Sequence, residues 1–203
     1  ADMAAALKAG SFPLGRFTQF EIRDPKRRII TAPAFSERVL HHAIMRVCEQ
    51  HFDRWLIADS YACRPGKGRE AAVLRAASFA RRFPWRVHLD VRQCFDSIPH
   101  DLLLDRLGRR FKDDRLLRVF RGVIGSFRGR LGRGVPIGSL LSQHFVNFFL
   151  GTLDRFVKEH LRVAGYVRYM DDVVLWGPTS GAVAASAEAD RKSTRLNSSH
   201  LVI

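Results

Sequence analysis

The sequence predicts an α+β fold in which an antiparallel sheet of short strands packs on amphipathic helices. Three observations predict it. Residues 85–91, Trp-Arg-Val-His-Leu-Asp-Val, alternate apolar and polar with the period of a strand. Residues 166–176, Tyr-Val-Arg-Tyr-Met-Asp-Asp-Val-Val-Leu-Trp, read as two short strands joined by an acidic turn. Elsewhere apolar residues recur at helical spacing. With 203 residues, the chain is long enough for one sizeable core and a small appendage.

Taken in order, Met3 to Ala9 is helix-like, and because the chain opens on Ala we expect further residues before it. Phe12, Phe17, Phe20 and Ile22 lead through a loop into an edge strand, and Ile29-Ile30 returns as its partner. The tip between them, Arg23 to Arg28, carries an Asp24-Pro25 turn signal. Its Lys26 and Arg28 belong either to a solvated face or to a contact with a triphosphate or template backbone. Ser36 is positioned to cap a helix running to about His51, with Val39, Leu40, Ala43, Ile44, Val47 and Cys48 as the buried stripe and His41 and His42 on the surface. Residues 60–68, Ser-Tyr-Ala-Cys-Arg-Pro-Gly-Lys-Gly, form a loop before a helix over 69–82. Arg64 and Lys67 there suit a phosphate, although a plain connection fits nearly as well.

In the strand over 85–91, Trp85, Val87, Leu89 and Val91 share the core face and Asp90 faces away. Pro99 opens a helix with Leu102, Leu103 and Leu107 inward, and a second amphipathic helix covers about 113–127. The glycine-rich stretch 125–138 adds Arg130 and Arg133 as candidate nucleic-acid contacts. A long helix then runs from Ser139 to about Leu161, with Gln143 and Asn147 on one face.

The formal net charge is +14, with Lys and Arg spread through the chain, which favours a polyanionic partner, most simply nucleic acid. Cys48, Cys63 and Cys94 lack CxxC spacing, which argues against structural zinc and a disulfide framework and for a reducing, cytoplasm-like compartment. No apolar run has the length of a membrane span. Two adjacent carboxylates at a hairpin tip are costly without a cation. Asp171 and Asp172, with Asp90 at the end of another strand, therefore point to a divalent-metal site.

From about Phe17 to Gly177 the chain resembles the reverse transcriptases. The resemblance rests on Tyr169-Met170-Asp171-Asp172, on the stretch from Asp90 through Phe95-Asp96-Ser97-Ile98 to His100, and on Gly134 to Asp154 with its Pro136, Gly138, Ser142, Gln143 and Asn147. It implies a right-hand polymerase, with fingers over 1–84 and an incomplete palm over 85–189. It implies two Mg²⁺ ions, with Mn²⁺ as a substitute, held by Asp90, the Val91 backbone, Asp171 and Asp172. It also implies Lys26, Arg28, Phe95 (as a steric gate), Ile137, Gly138 and Gln143 at the nucleotide, and an RNA template, a DNA or RNA primer and dNTPs as partners.

The form Ile137-Gly138-Ser139-Leu140-Leu141-Ser142-Gln143, together with Asp59 to Gly68, resembles reverse transcriptases of diversity-generating retroelements. Those make error-prone cDNA from a template-repeat RNA and work with a basic accessory protein. The alternatives are a group II intron-type or defence-associated enzyme and, from another class, an inactive RNA-binding module on a polymerase scaffold. A bacterial, archaeal or phage-encoded cytoplasmic enzyme is expected. Residues 190–203 lack useful periodicity and are expected to be a non-native tail. With the thumb absent, the fragment is expected to be weakly active or inactive alone.

Overall fold

The computed structural model describes residues 3–23, 27–127 and 131–197. In chain order the elements are α1 Met3–Lys8, β1 Phe17–Arg23, β2 Arg27–Pro33, α2 Phe35–Asp53, α3 Arg69–Arg82, β3 Trp85–Asp90 and the single turn α4 Cys94–Ser97. They continue with α5 His100–Arg110, α6 Asp114–Ser126, α7 Leu140–Arg155, a π-helical turn Phe156–His160, β4 Gly165–Tyr169, β5 Asp172–Gly177 and α8 Ser180–Asn197. Two compact units divide the chain: Ala1–Glu49 with Ile98–Ser142, and Gln50–Ser97 with Gln143–Ile203.

In the first unit β1 and β2 form the expected antiparallel hairpin, paired from Phe17↔Pro33 to Arg23↔Arg27. Glu21 joins Arg23 at 3.0 Å and Arg27 at 2.7 Å, which balances part of the charge near the tip. The helix α2 departs from the expected stripe. Leu40, Ile44 and Cys48 are buried as expected, but Val39, Ala43 and Val47 are exposed, while Glu37, His41 and Met45 are buried. The reason is polar. Glu37 accepts the Gly15 N–H at 3.0 Å, and His41 Nδ1 lies 3.3 Å from the Ser139 hydroxyl, so partners distant in sequence set which side of the helix turns inward. Ser36 lies inside the first turn rather than before it. Asp113 caps α6 by accepting from the N–H groups of Arg115 and Leu116 at 2.8 and 3.0 Å, and Phe111 meets Phe120 edge-on at 5.4 Å.

The second unit is built on the antiparallel sheet β3-β5-β4. Both of its faces are covered, which is why Val173-Val174-Leu175-Trp176 is continuously apolar rather than alternating. Tyr166, Val173 and Leu175 pack with Leu153, Val157 and Val163, and half-buried Val87 and Leu89 join that cluster. Val167 and Trp176 pack on the other side with Tyr61, Ala72 and Phe79 of the loop and α3. Trp85, expected in the core, is 51% exposed at the mouth of its strand. The helix after α7 widens into a π turn instead of continuing as α-helix to Leu161. At the far end of the chain, α8 lies against β3 and β5 and carries the helix into the segment expected to be a tail, as far as Asn197. Cys48, Cys63 and Cys94 are unbridged, and among the described residues no helix is long and apolar enough to cross a membrane.

Two buried histidines set a pH limit, one in each unit. Burial pushes His41 down to about 4, with the neighbouring His42 charge adding to it, and burial alone takes His144 to about 4. The unfolded chain binds protons at these imidazoles below about 6.5, while the folded chain refuses them until about 4. Stability is therefore full above the unfolded value and falls as the pH drops towards 4, by at most about 3 kcal/mol per histidine. Urea titrations at stepped pH should show this loss, and His144→Leu should reduce it. A stability profile that stays flat from neutral pH to 4 would contradict the burial of both rings.

Candidate active site

The hairpin that carries the acidic turn is β4 and β5, and its neighbour across β5 is β3. Asp90 is the last residue of β3, Asp172 the first of β5, and the two are direct partners in the antiparallel pairing. Opposed residues in such a pair project from the same face with Cβ atoms about 5 Å apart. One step further, the Val91 N–H donates to the carbonyl of Asp171 at 3.1 Å, so the ladder continues into the turn. Met170, before Asp171, holds a left-handed φ of 54°, uncommon for a residue other than glycine. Asp90 and Asp172 are exposed and Asp171 is half-buried. His88 lies two residues before Asp90, and its Nε2 is 3.0 Å from Asp172 Oδ1. The buried Cys94 thiol is pushed up to about 12, first by burial and then by the charge of Asp171, with Arg168 opposing and Asp90 adding.

Two carboxylates set directly opposite each other are mutually repulsive unless a cation lies between them. The set is all hard oxygen, as Mg²⁺ requires, and Mg²⁺ commonly takes one or two carboxylates and completes its shell from water and phosphate. Among the described residues, no group of three or more His, Cys, Asp or Glu is gathered closely enough to hold a metal by itself. The sequence-derived expectation of clustered acids is thus corrected to an open arrangement. Asp90 and Asp172 share a sheet face while Asp171 occupies the turn, which fits an ion that shares its ligands with substrate.

Beneath the turn lies Arg168, fully buried. Its Nε donates to Asp154 Oδ1 at 2.6 Å and its Nη2 to Asp154 Oδ2 at 2.7 Å, a two-pronged pair with both side chains inaccessible to solvent. Its Nη2 also reaches Ser60 Oγ at 3.0 Å and the Asn147 carbonyl at 3.3 Å, and its Nη1 reaches Asn147 Oδ1 at 2.6 Å and the Met170 carbonyl at 3.0 Å. The Tyr166 hydroxyl adds a bond to Asp154 Oδ1 at 2.5 Å. Burial works against the charged guanidinium, but the charge and hydrogen bonds of Asp154 outweigh it and hold Arg168 above the ordinary arginine value.

The other expected site residues divide between the units. In the second, Gln143 is exposed on α7 and its Oε1 receives the Cys63 thiol at 3.7 Å. Phe95 is half-buried in α4. Arg64 is drawn inward by Asp53 (2.6 Å) and the carbonyls of Ile57 (2.6 Å) and Ser60 (2.7 Å), so it fastens the loop instead of facing a nucleic acid. Lys67 donates to the Ala58 carbonyl and lies 4.9 Å from the centre of the Tyr61 ring. In the first unit Arg28 is exposed opposite Ile22, and Arg133 is half-buried beside the Pro99 bridge. The Ile137 carbonyl accepts the Thr31 N–H at 2.7 Å. Gly138 has φ +111°, and a Cβ there would come within 2.7 Å of the Ile30 side chain, so the glycine is required for this close approach to β2. Lys26 and Arg130 lie outside the described residues.

Sequence reasoning assigned no role to Arg168, Asp154, Ser60 or Tyr166. A usable signal was present: Asn147 and Asp154 are seven residues apart, hence on one face of an otherwise apolar helix, and Arg168 interrupts an apolar strand.

An antiparallel sheet with an acidic hairpin at its end, packed on helices, is the architecture of a polymerase palm. A family model described as reverse transcriptase (RNA-dependent DNA polymerase) matches residues 22–198, and the chain belongs to that family. It is 24% identical over 161 residues to the group II intron-encoded protein LtrA of Lactococcus lactis, covering 75% of this chain and 27% of the relative. It is 25% identical over 154 residues to an uncharacterized 91 kDa protein in the cob intron of Schizosaccharomyces pombe, covering 73% of this chain and 19% of that one. Among solved structures, apo telomerase from Candida tropicalis truncated from its C-terminal domain superposes with a TM-score of 0.65 at 13% identity, covering 90% of this chain and 47% of that one. That likeness concerns the fold, and it agrees with fingers and palm. The chain spans between about a fifth and a quarter of the length of these two curated relatives.

Removing one partner of a buried ion pair leaves the other charge uncompensated. Asp154→Ala should therefore destabilise the second unit by roughly 3–5 kcal/mol, read from urea unfolding. A loss below about 1 kcal/mol, the range of surface pairs, would mean that the pair is not buried in solution.

Proposed function

We propose that this chain is the fingers and palm of an RNA-directed DNA polymerase that extends a DNA or RNA primer on an RNA template with dNTPs. The observation that carries the reading is the direct pairing of Asp90 with Asp172, beside Asp171 in the turn. In this reading Asp90, Asp171, Asp172 and the Val91 backbone hold two Mg²⁺ ions, with Mn²⁺ as a substitute. The bound ions would supply charge stabilisation at the attacking and leaving oxygens of nucleotidyl transfer. The protein's own part is positional. The β3–β5 register sets the spacing of the carboxylates, and Phe95 stands five residues beyond Asp90 as the gate against a ribose 2′-OH. The resemblance assigns Lys26, Arg28, Ile137, Gly138 and Gln143 to the nucleotide, and the basic residues Lys67, Arg130 and Arg133 are assigned to nucleic acid from the sequence.

For the biological setting, the Ile137-Gly138…Ser142-Gln143 box favours error-prone copying of a template-repeat RNA in a diversity-generating retroelement, with a basic accessory protein as partner. A second reading, an intron-type enzyme, is favoured by the intron-encoded relatives.

One experiment addresses both levels. Because this chain is expected to be weakly active at most on its own, the readout is metal-dependent addition of the first few nucleotides to a primed RNA template at high enzyme concentration with Mg²⁺ and dNTPs, and Asp171→Asn should reduce this by at least ~100-fold, the order seen when a group stabilising developing charge is removed. Incorporation that survives Asp171→Asn would remove the polymerase assignment for this hairpin. Sequencing of the product separates the settings: errors concentrated opposite template adenines support the retroelement, and evenly distributed rare errors support the intron type.

A further inference from the structure

We propose that Arg168 is a positioning residue for the metal-binding turn and that Asn147 is its lever. The inference rests on the reading of Asp171 as a metal ligand. Every donor of the guanidinium has an acceptor: Nε and one arm of Nη2 face Asp154, the other arm of Nη2 faces Ser60 Oγ and the Asn147 carbonyl, and Nη1 is shared between Asn147 Oδ1 and the Met170 carbonyl. The Nη1 atom is therefore a bridge. One end is on α7, a helix packed into the core, and the other is on the backbone of the residue that precedes Asp171.

Asn147 is itself fixed at both ends of its amide, since its Nδ2 donates to the Ala62 carbonyl at 2.7 Å while its Oδ1 accepts from Arg168. The bridge thus cannot swing without breaking a buried hydrogen bond. Its target is the one residue of the hairpin held in a left-handed conformation, Met170 at φ 54°, a geometry that persists only when its surroundings impose it. On the other side of the turn, the Asp171 carbonyl is held by the Val91 N–H at 3.1 Å. Two consecutive carbonyls, those of Met170 and Asp171, are pinned from opposite sides, and the Asp171 side chain leaves the backbone between them.

Stability alone does not account for an arginine here, because a buried ion pair is often replaceable by apolar residues at no loss. A planar five-donor group that joins a helix, a loop and a turn carbonyl has no apolar equivalent. The role is comparable to the outer groups that orient the ligands of a metal site.

The test is Mn²⁺ binding to the 203-residue chain, read as loss of the free-ion electron paramagnetic resonance signal, with circular dichroism and urea unfolding alongside. Asn147→Ala keeps Arg168 and Asp154 in place and removes the side-chain end of the bridge. The expected result is a folded protein whose Mn²⁺ affinity falls by about 10-fold, the lower end for groups that orient metal ligands. Arg168→Lys, which keeps a charge facing Asp154 but cannot reach both acceptors, should lose affinity by a similar factor. Asp171→Asn is the control for the underlying reading. If it loses Mn²⁺ binding while folded Asn147→Ala and Arg168→Lys bind as wild type, the positioning role is overturned and the metal ligand stands. If Asp171→Asn itself binds as wild type, the metal reading falls and the inference falls with it. If both Asn147→Ala and Arg168→Lys are unfolded, the network is structural and the positioning role is overturned.

Discussion

A fully buried guanidinium imposes a strict condition on everything around it. Removing that charge from water costs several kcal/mol even after relaxation, and the cost is offset only if the geometry is good and every donor is satisfied. Arg168 meets the condition by drawing on three separate segments: Asp154 and Asn147 on α7, Ser60 in the loop before α3, and the Met170 carbonyl in its own hairpin. None of these can be displaced without leaving a charge or a polar group unpaired in the interior. The pair itself adds little net stability. Its effect is to admit one relative placement of helix, loop and hairpin and to reject others.

That placement accounts for the form of the active site. The sheet face carrying Tyr166 and Arg168 is sealed by α7, so the hairpin has little freedom to tilt. The β3–β5 register then determines that Asp90 stands opposite Asp172, and the Val91–Asp171 hydrogen bond extends the order one residue into the turn. The rigid part of the candidate site is therefore backbone and buried side chain, while Asp90 and Asp172 remain exposed to solvent. This division suits chemistry in which the protein positions ions and the substrate completes their shells.

The outline of this arrangement was legible in the sequence, because it depends on local pattern. The helix over 69–82, the strand from Trp85 to Asp90 and the hairpin around Asp171-Asp172 lie where periodicity and turn chemistry place them. What escaped depends on partners supplied from elsewhere. The α2 stripe was misread because Glu37 and His41 are polar, yet become buried once Gly15 and Ser139 meet them. Arg64 looked like a phosphate contact in a glycine-rich loop, but Asp53 and two carbonyls claim it. Arg168 interrupts an apolar strand, and nothing in its neighbourhood of the sequence says what it meets. In each case a polar side chain is drawn inward by groups outside its own stretch of the pattern, and a pattern of apolar residues carries no record of them.

The most direct test of the account is where a paramagnetic ion settles on the chain. Amide spectra of the ¹⁵N-labelled protein, titrated with Mn²⁺, should lose the Val91, Asp171 and Asp172 resonances before any others, because the ion is expected at the end of the β3–β5 ladder. Broadening that begins elsewhere, or that spreads evenly over the exposed acids, would contradict the claim that this buried framework presents a metal site.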